Sequence, residues 1–169
     1  MFELKPLSRE SIPAALEKAK RYRLLNEPHE AESICQDILL VDPENQEALI
    51  MLLLAFTDRF KEELFPAYHR AVEVLKRLSD AHCRIYYRGI INERRAKTHL
   101  ARGGPDSGSM AFEWYTKAMA DYELALSTCS PGNQDAALRW NTCARVLNEH
   151  PHLKPPEGPR EEGVMDGYE

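Results

Sequence analysis

The stretch Asp42–Leu49, DPENQEAL, returns in near copy at Ser130–Leu138 as SPGNQDAAL. Each copy offers a proline that halts a preceding helix, an asparagine placed to cap the next, and strong helix formers after it. A chain that writes the same stop and start twice is a chain of helices joined by a repeated joint. The feature sets the architecture before any single helix is examined.

The residues between these joints agree. As far as His150, apolar side chains recur at steps of three and four, with no alternating strand pattern. Breaks fall at Asn26–Glu27–Pro28, Asp42–Pro43, Gly103–Gly104–Pro105, Ser130–Pro131–Gly132 and Pro151. Pro13 and Pro28 fit first helical turns, where no hydrogen bond is lost, and Ser11 and Asn26 are the expected N-caps. The pattern predicts helices over about 11–25, 27–41, 45–60, 64–78, 80–102, 109–128 and 133–149. Ala48–Phe56, ALIMLLLAF, is the longest apolar run; it falls far short of the ~20 residues that span a bilayer and reads as a buried helix.

With 169 residues, 29% of them charged, and a formal charge of −5, the chain has room for one core or a short repeat array, and its overall charge gives no reason to expect nucleic acid. The four cysteines include no CxxC pair, and the reading is reduced thiols in a cytoplasmic protein. MFELKPLSRE has acids and a proline where a signal peptide needs an apolar stretch.

Helical hairpins invite a search for a period. In Ile12–Asn45 the series Ala15, Lys18, Ala19, Tyr22, then Ala31, Cys35 and Pro43 falls at the spacing of a tetratricopeptide repeat, and the chain resembles that family over about residues 12–149. The pattern has a packing reason: Ala19 and Ala31 let two helix backbones approach, and Tyr22 fills the groove beside them. A second unit carries Ala67 and Ala71. A third has Gly89, then Ala118, Tyr122 and Ala125, with an insertion read as two long helices joined by GGPDSGS. Leu53 and Trp140 stand where the family prefers a small residue. The expected fold is all-α: antiparallel hairpins stacked as a short right-handed α-α superhelix of about seven helices. An N-terminal arm at 1–10 and a Pro/Gly-rich acidic tail at 151–169 flank a body at 11–150. An irregular helical bundle is the competing architecture.

The resemblance implies a scaffold that binds a peptide or protein segment in a concave groove lined by the first helix of each pair. Carried over position by position, the groove residues are Leu16, Lys20 and Arg23; Ile50, Leu54 and Asp58; Tyr86, Ile90 and Arg94; and Asn141 and Arg145. An apolar centre rimmed by Lys20, Arg23, Arg94 and Arg145 suits a partner with apolar anchors and acidic groups. The competing reading makes Ile50, Leu54 and Ile90 core. Heat-shock co-chaperones of this family grip a C-terminal carboxylate with basic residues, and here Leu16, Lys20, Cys83 and Tyr87 do not supply that clamp.

Other chemistry is thinly represented. The six histidines are scattered, His150 and His152 make at most two ligands, and His82 and Cys83, being adjacent on a helix, diverge by about 100°. No catalytic residue, metal or cofactor is expected. Six basic residues between Arg84 and Arg102 face one acid, Glu93, and Arg84, Arg88 and Arg95 share a helix face that could meet phosphates, a weaker alternative than protein binding. In the tail, Val164, Met165 and Tyr168 among Glu161, Glu162, Asp166 and Glu169 fit either a solvated segment or a ligand for the chain's own groove. Phe112, Trp114 and Tyr115 give the inserted helix apolar surface on more than one side, to be covered by the array or by a second copy in a homodimer.

Overall fold

In the computed structural model, residues 2–155 are described, and their regular structure is entirely helical. A short 3-10 turn, Arg9–Ser11, leads into α1 (Ile12–Leu24) and α2 (Pro28–Val41). They are followed by α3 (Gln46–Asp58), α4 (Phe60–Lys76), α5 (Ala81–Arg102), α6 (Ser107–Thr128) and α7 (Asp135–Glu149). Each helix packs on the next in sequence, so α1/α2, α3/α4 and α5/α6 form stacked pairs and α7 closes the stack on α6. α1 also reaches α3. No described helix is long and apolar enough to cross a membrane.

The repeated joint keeps its backbone and changes its turn. In both copies the asparagine N–H closes the turn, Asn45 onto the Asp42 carbonyl and Asn133 onto the Ser130 carbonyl, each at 3.1 Å. The second copy has Gly132 at φ +87°, the position of a type II turn that favours glycine. Glu44, which holds that place in the first copy, is not left-handed. The caps diverge accordingly. Asn45 Oδ1 accepts from the Ala48 N–H at 3.0 Å, a full N-cap, whereas Asn133 Oδ1 accepts from Asp135 N–H at 3.1 Å and α7 begins one residue later in the motif. Where the joint has lost its proline, Asp80 caps α5 by accepting from the Cys83 N–H at 2.7 Å.

Two capping expectations are corrected. Asn26 does not start α2; it ends α1, at φ +61°, with the Asn26 N–H on the Arg23 carbonyl and the Glu27 N–H on the Tyr22 carbonyl. That is a Schellman motif with asparagine in the left-handed position. Ser11 makes no capping bond, its hydroxyl lying 2.7 Å from that of Ser8.

α4 has a break of its own. Glu63 is non-helical, so the continuous part of α4 starts at Leu64 and Pro66 falls in its first turn, where a proline costs nothing.

Two large apolar clusters fill the stack, and a small third one joins Ile12, Ile38 and Ala48. The first joins Ala19, Ala31, Cys35, Leu49, Leu53, Phe60, Leu64, Ala67 and Ala71. The second joins Ile90, Ala96, Ala111, Tyr115, Ala118, Tyr122, Ala125, Ala136 and Cys143. Leu54 and Tyr87 touch both large clusters. The small residues sit where backbones come close. Ala19 and Ala31 are sealed, and a Cβ on Gly89 would lie 2.6 Å from Tyr122 Cε1. Leu53 is buried and Trp140 packs half-buried on the second cluster, so both bulky residues enlarge the core. Past α7, Leu153 is buried and lies against Gly108 at the start of α6. Residues 156–169, which hold the apolar and acidic positions of the tail, lie outside the described residues.

Candidate functional site

Three successive first helices meet through charge. Near the C-terminal end of α1, Arg23 grips Asp58 of α3 with two nitrogens, Nε at 2.7 Å and Nη2 at 3.2 Å. From α5, Arg94 Nη1 pairs with the same carboxylate, and also donates to Thr57 Oγ1 at 2.8 Å and to the Leu54 carbonyl at 3.5 Å. Two half-buried guanidiniums therefore share one half-buried carboxylate, and one positive charge is left over. α5 reaches α3 here through long side chains, whereas α1 and α3 approach backbone to backbone.

The expected groove residues divide on this frame. Arg23, Leu54, Asp58 and Arg94 come together. Leu16 is half-buried beside a hollow of about 510 Å³ between the N-terminal ends of α1 and α3. Ile50 and Tyr86 are half-buried on α3 and α5. Lys20, on α1, and Asn141 and Arg145, on α7, are exposed, and neither cation has an ion-pair partner among the described residues. Ile90 stands apart: at 2% exposure it belongs to the second cluster and supplies core rather than surface.

The arginines expected to share the basic face of α5 have partners within the molecule. Arg84 donates to the Leu78 carbonyl at 2.6 Å and the Ser79 carbonyl at 2.9 Å. Arg88 pairs with Asp121 of α6 at 2.6 Å. Arg95 lies between two rings, 4.3 Å from the centroid of Tyr68 and 3.9 Å from that of Trp114. Arg95, stacked between two rings, is not presented to a nucleic-acid backbone, whereas Arg88 keeps half of its side chain exposed. The aromatic insertion folds back as well: Tyr115 is buried, Trp114 stacks on Arg95, and Phe112 packs on the second cluster.

Sequence reasoning missed the partners of this basic face, above all Glu93. Its carboxylate is fully buried, accepts from the Tyr122 hydroxyl at 2.7 Å, and pairs with Arg139 of α7 at 3.3 Å and Lys97 at 2.5 Å. Beside it, Asn92 donates to Asp121 at 2.8 Å. A signal was present. Gly89, Glu93 and Ala96 are four and three apart, so an acid stands on the helix face that the small residues assign to the interior.

The remaining reactive side chains are scattered or sealed. All four cysteines are free; burial, before any charge, pushes the Cys35 and Cys143 thiols up to about 12. His82 Nδ1 sits 3.2 Å from Thr128 Oγ1. Burial, with Arg95 and Arg102 nearby, pushes the His99 pKa down. Among the described residues, no three His, Cys, Asp or Glu side chains converge as a metal site. Comparison of the chain with protein-family models, curated proteins and solved structures gives no match in any of the three.

Proposed function

We propose that this protein is a tetratricopeptide-like scaffold that performs no chemistry and binds an acidic, apolar-anchored segment of another protein. The segment would lie along the face carried by α1, α3, α5 and α7, within a body at 11–150. The carrying observation is the junction of Arg23, Asp58 and Arg94, which links three first helices into one surface with surplus positive charge. Exposed Lys20 and Arg145 add to that surplus, and half-buried Leu16, Ile50 and Leu54 offer apolar contact nearby. An incoming carboxylate finds guanidinium donors already positioned by packing, which reduces the ordering cost of binding.

The test needs charges that do not hold the fold. Arg23 and Arg94 are unsuitable, because reversing either sets a second acid against half-buried Asp58. Lys20→Glu combined with Arg145→Glu alters exposed positions only. Fluorescence anisotropy against a panel of acidic-apolar peptides should show saturable binding to the native protein. The double variant should weaken it by about tenfold, two exposed charges each contributing about 0.5–1 kcal/mol, with the melting temperature unchanged. Binding of the whole panel to the double variant with native affinity, or no binding by the native protein, would sink the reading.

A further inference from the structure

Two helical turns from Arg94 toward the start of α5, the same helices build a hollow of opposite character. The N-terminal turns of α5 and α7 enclose about 130 Å³ lined by His82, Cys83, Tyr86, Tyr87, Asn133 and Asp135. The Tyr86 and Tyr87 ring centroids are 5.1 Å apart with planes at 82°, so the two rings form a corner. Tyr86 is steadied from behind by Tyr122, 5.9 Å away, and Tyr87 by both large apolar clusters. The third wall is held too: Asn133 accepts from the Asp135 N–H and fixes the turn from which that carboxylate projects.

Asp135 is exposed and has no ion-pair partner among the described residues. Its charge is felt at both rings. Burial is the main cause that raises the two phenol pKa values, Tyr87 to about 12, and Asp135 adds to the rise at each. Two cations act on these rings and both have partners: Arg139 bonds the Tyr86 hydroxyl and pairs with Glu93, and Arg23, felt at Tyr87, pairs with Asp58. Two aromatic rings at right angles beside an unpaired carboxylate are the chemistry that holds an ammonium group. The volume, roughly four waters' worth at ~30 Å³ each, fits such a head group and is too small for a drug-sized ligand.

We propose that this hollow is a cation subsite for a lysine or N-methylated lysine side chain, its ammonium held among Tyr86, Tyr87 and Asp135. The inference rests on the peptide-binding reading and adds a register to it. Tyr87 and Arg94 are seven residues apart on one helix, a rise of about 10.5 Å, which an extended peptide covers in about three residues. The bound segment therefore carries its lysine about three positions from the acid that meets Arg94.

Two arms separate this subsite from the scaffold reading. The full chain is titrated with tetramethylammonium chloride, with sodium chloride as the ionic control, while the ring resonances of Tyr86 and Tyr87 are followed by NMR. Both rings should shift saturably with tetramethylammonium alone. Asp135→Asn, an exposed change, should weaken that binding by about fivefold, and Tyr87→Phe, which keeps the ring, should retain it. Rings that do not respond overturn the subsite, whatever peptides do. In the second arm, paired peptides carry lysine or norleucine three residues from a glutamate. Native protein should prefer lysine and Asp135→Asn should lose the preference. Equal binding of both peptides overturns the subsite and leaves the scaffold standing. Binding of neither peptide, with the rings still responding to tetramethylammonium, overturns the scaffold reading and supports the subsite alone.

Discussion

Where α1 crosses α2, the close approach is made by Ala19 and Ala31, with Cys35 and Leu53 sealed behind them. The buried charge of this half, Arg59 paired with Glu32 and Glu63, takes no part in that approach. Where α5 crosses α6, the close approach is Gly89 against Tyr122, and charges surround it: Glu93 with Tyr122, Arg139 and Lys97, and Asp121 with Arg88 and Asn92. The first arrangement is tolerant, because apolar contacts have no required direction. The second is conditional: each buried charge is held only while its partners stay in place. The α5–α7 half thus gives up tolerance and gains fixed geometry, and that half carries both Arg94 and the tyrosine corner.

The most severe test removes the centre of the α5–α7 charges. Glu93→Ala leaves the Tyr122 hydroxyl, Lys97 and Arg139 without their shared acceptor. Breaking a buried pair costs about 3–5 kcal/mol. Because Lys97 and Arg139 are partly exposed and can be rehydrated, the lower end, about 3 kcal/mol, is expected. Urea unfolding at unchanged slope would measure it, and Glu93→Gln should cost less. A loss below about 1 kcal/mol for the alanine would mean that apolar packing holds both halves alike.

Gly89→Ala comes next. The added methyl would meet the Tyr122 ring at 2.6–2.8 Å, and that ring is pinned through its hydroxyl to Glu93. The better helix propensity of alanine, about 1 kcal/mol, is outweighed by overpacking, leaving a net loss of about 1–2 kcal/mol by thermal or urea unfolding. Combining Gly89→Ala with Tyr122→Leu should recover much of the methyl's cost, since the ring is the obstacle. Additive losses would place the strain elsewhere.

Arg95→Ala should cost about 1 kcal/mol, through loss of stacking between Tyr68 and Trp114. In a Trp140→Phe background, Trp114 alone reports, and its emission should move to longer wavelength as water replaces the guanidinium. Arg95→Lys keeps the charge and loses the plane, so it should fall between the two. Unchanged emission in the alanine variant would show that Trp114 is covered without Arg95.

The contrast between the halves also explains what could be read from the chain. Seven helices, the joints at Pro43 and Pro131, and the small residues Ala19, Ala31 and Gly89 follow from local spacing, which is where helix stops, caps and close approaches are encoded. The partners of the basic helix were not readable this way. Tyr122 lies 29 positions from Glu93 and Asp58 lies 36 from Arg94, and nothing local links such pairs. Arginines spaced four and seven apart look alike whether they face solvent or, like Arg88 and Arg95, a carboxylate and two aromatic rings. Of the candidate surface, the helix faces were readable; Ile90 was not, because an isoleucine at a groove position and one in a core have the same spacing. Asn26 shows the same limit on a smaller scale, since an asparagine before a helix can cap it or, at positive φ, close the one before.

The finest comparison uses the molecule's own thiols. Cys35 lies in the first cluster and Cys143 in the second, both fully buried. Cys83 and Cys129 are half-buried. At pH 8 a thiol reagent should therefore modify two cysteines readily in the native protein and the other two only through opening. With Cys83→Ser and Cys129→Ser in place, one protected thiol reports on each half. Because Leu54 and Tyr87 belong to both large clusters, the halves should open together, so in sub-denaturing urea Cys35 and Cys143 should react at rates within about twofold of each other. A much faster Cys143 would make the α5–α7 half an independent unit. Alkali should act in one direction on both. Their pKa values rise on folding, from 9.0 to about 12, so above pH 9 the unfolded chain releases thiol protons that the native chain keeps. Stability is therefore fully present below pH 9 and falls as pH climbs toward 12. Replacing either buried thiol with alanine should flatten that fall by its own share, and equal shares from Cys35 and Cys143 would show that the two halves exclude water equally well.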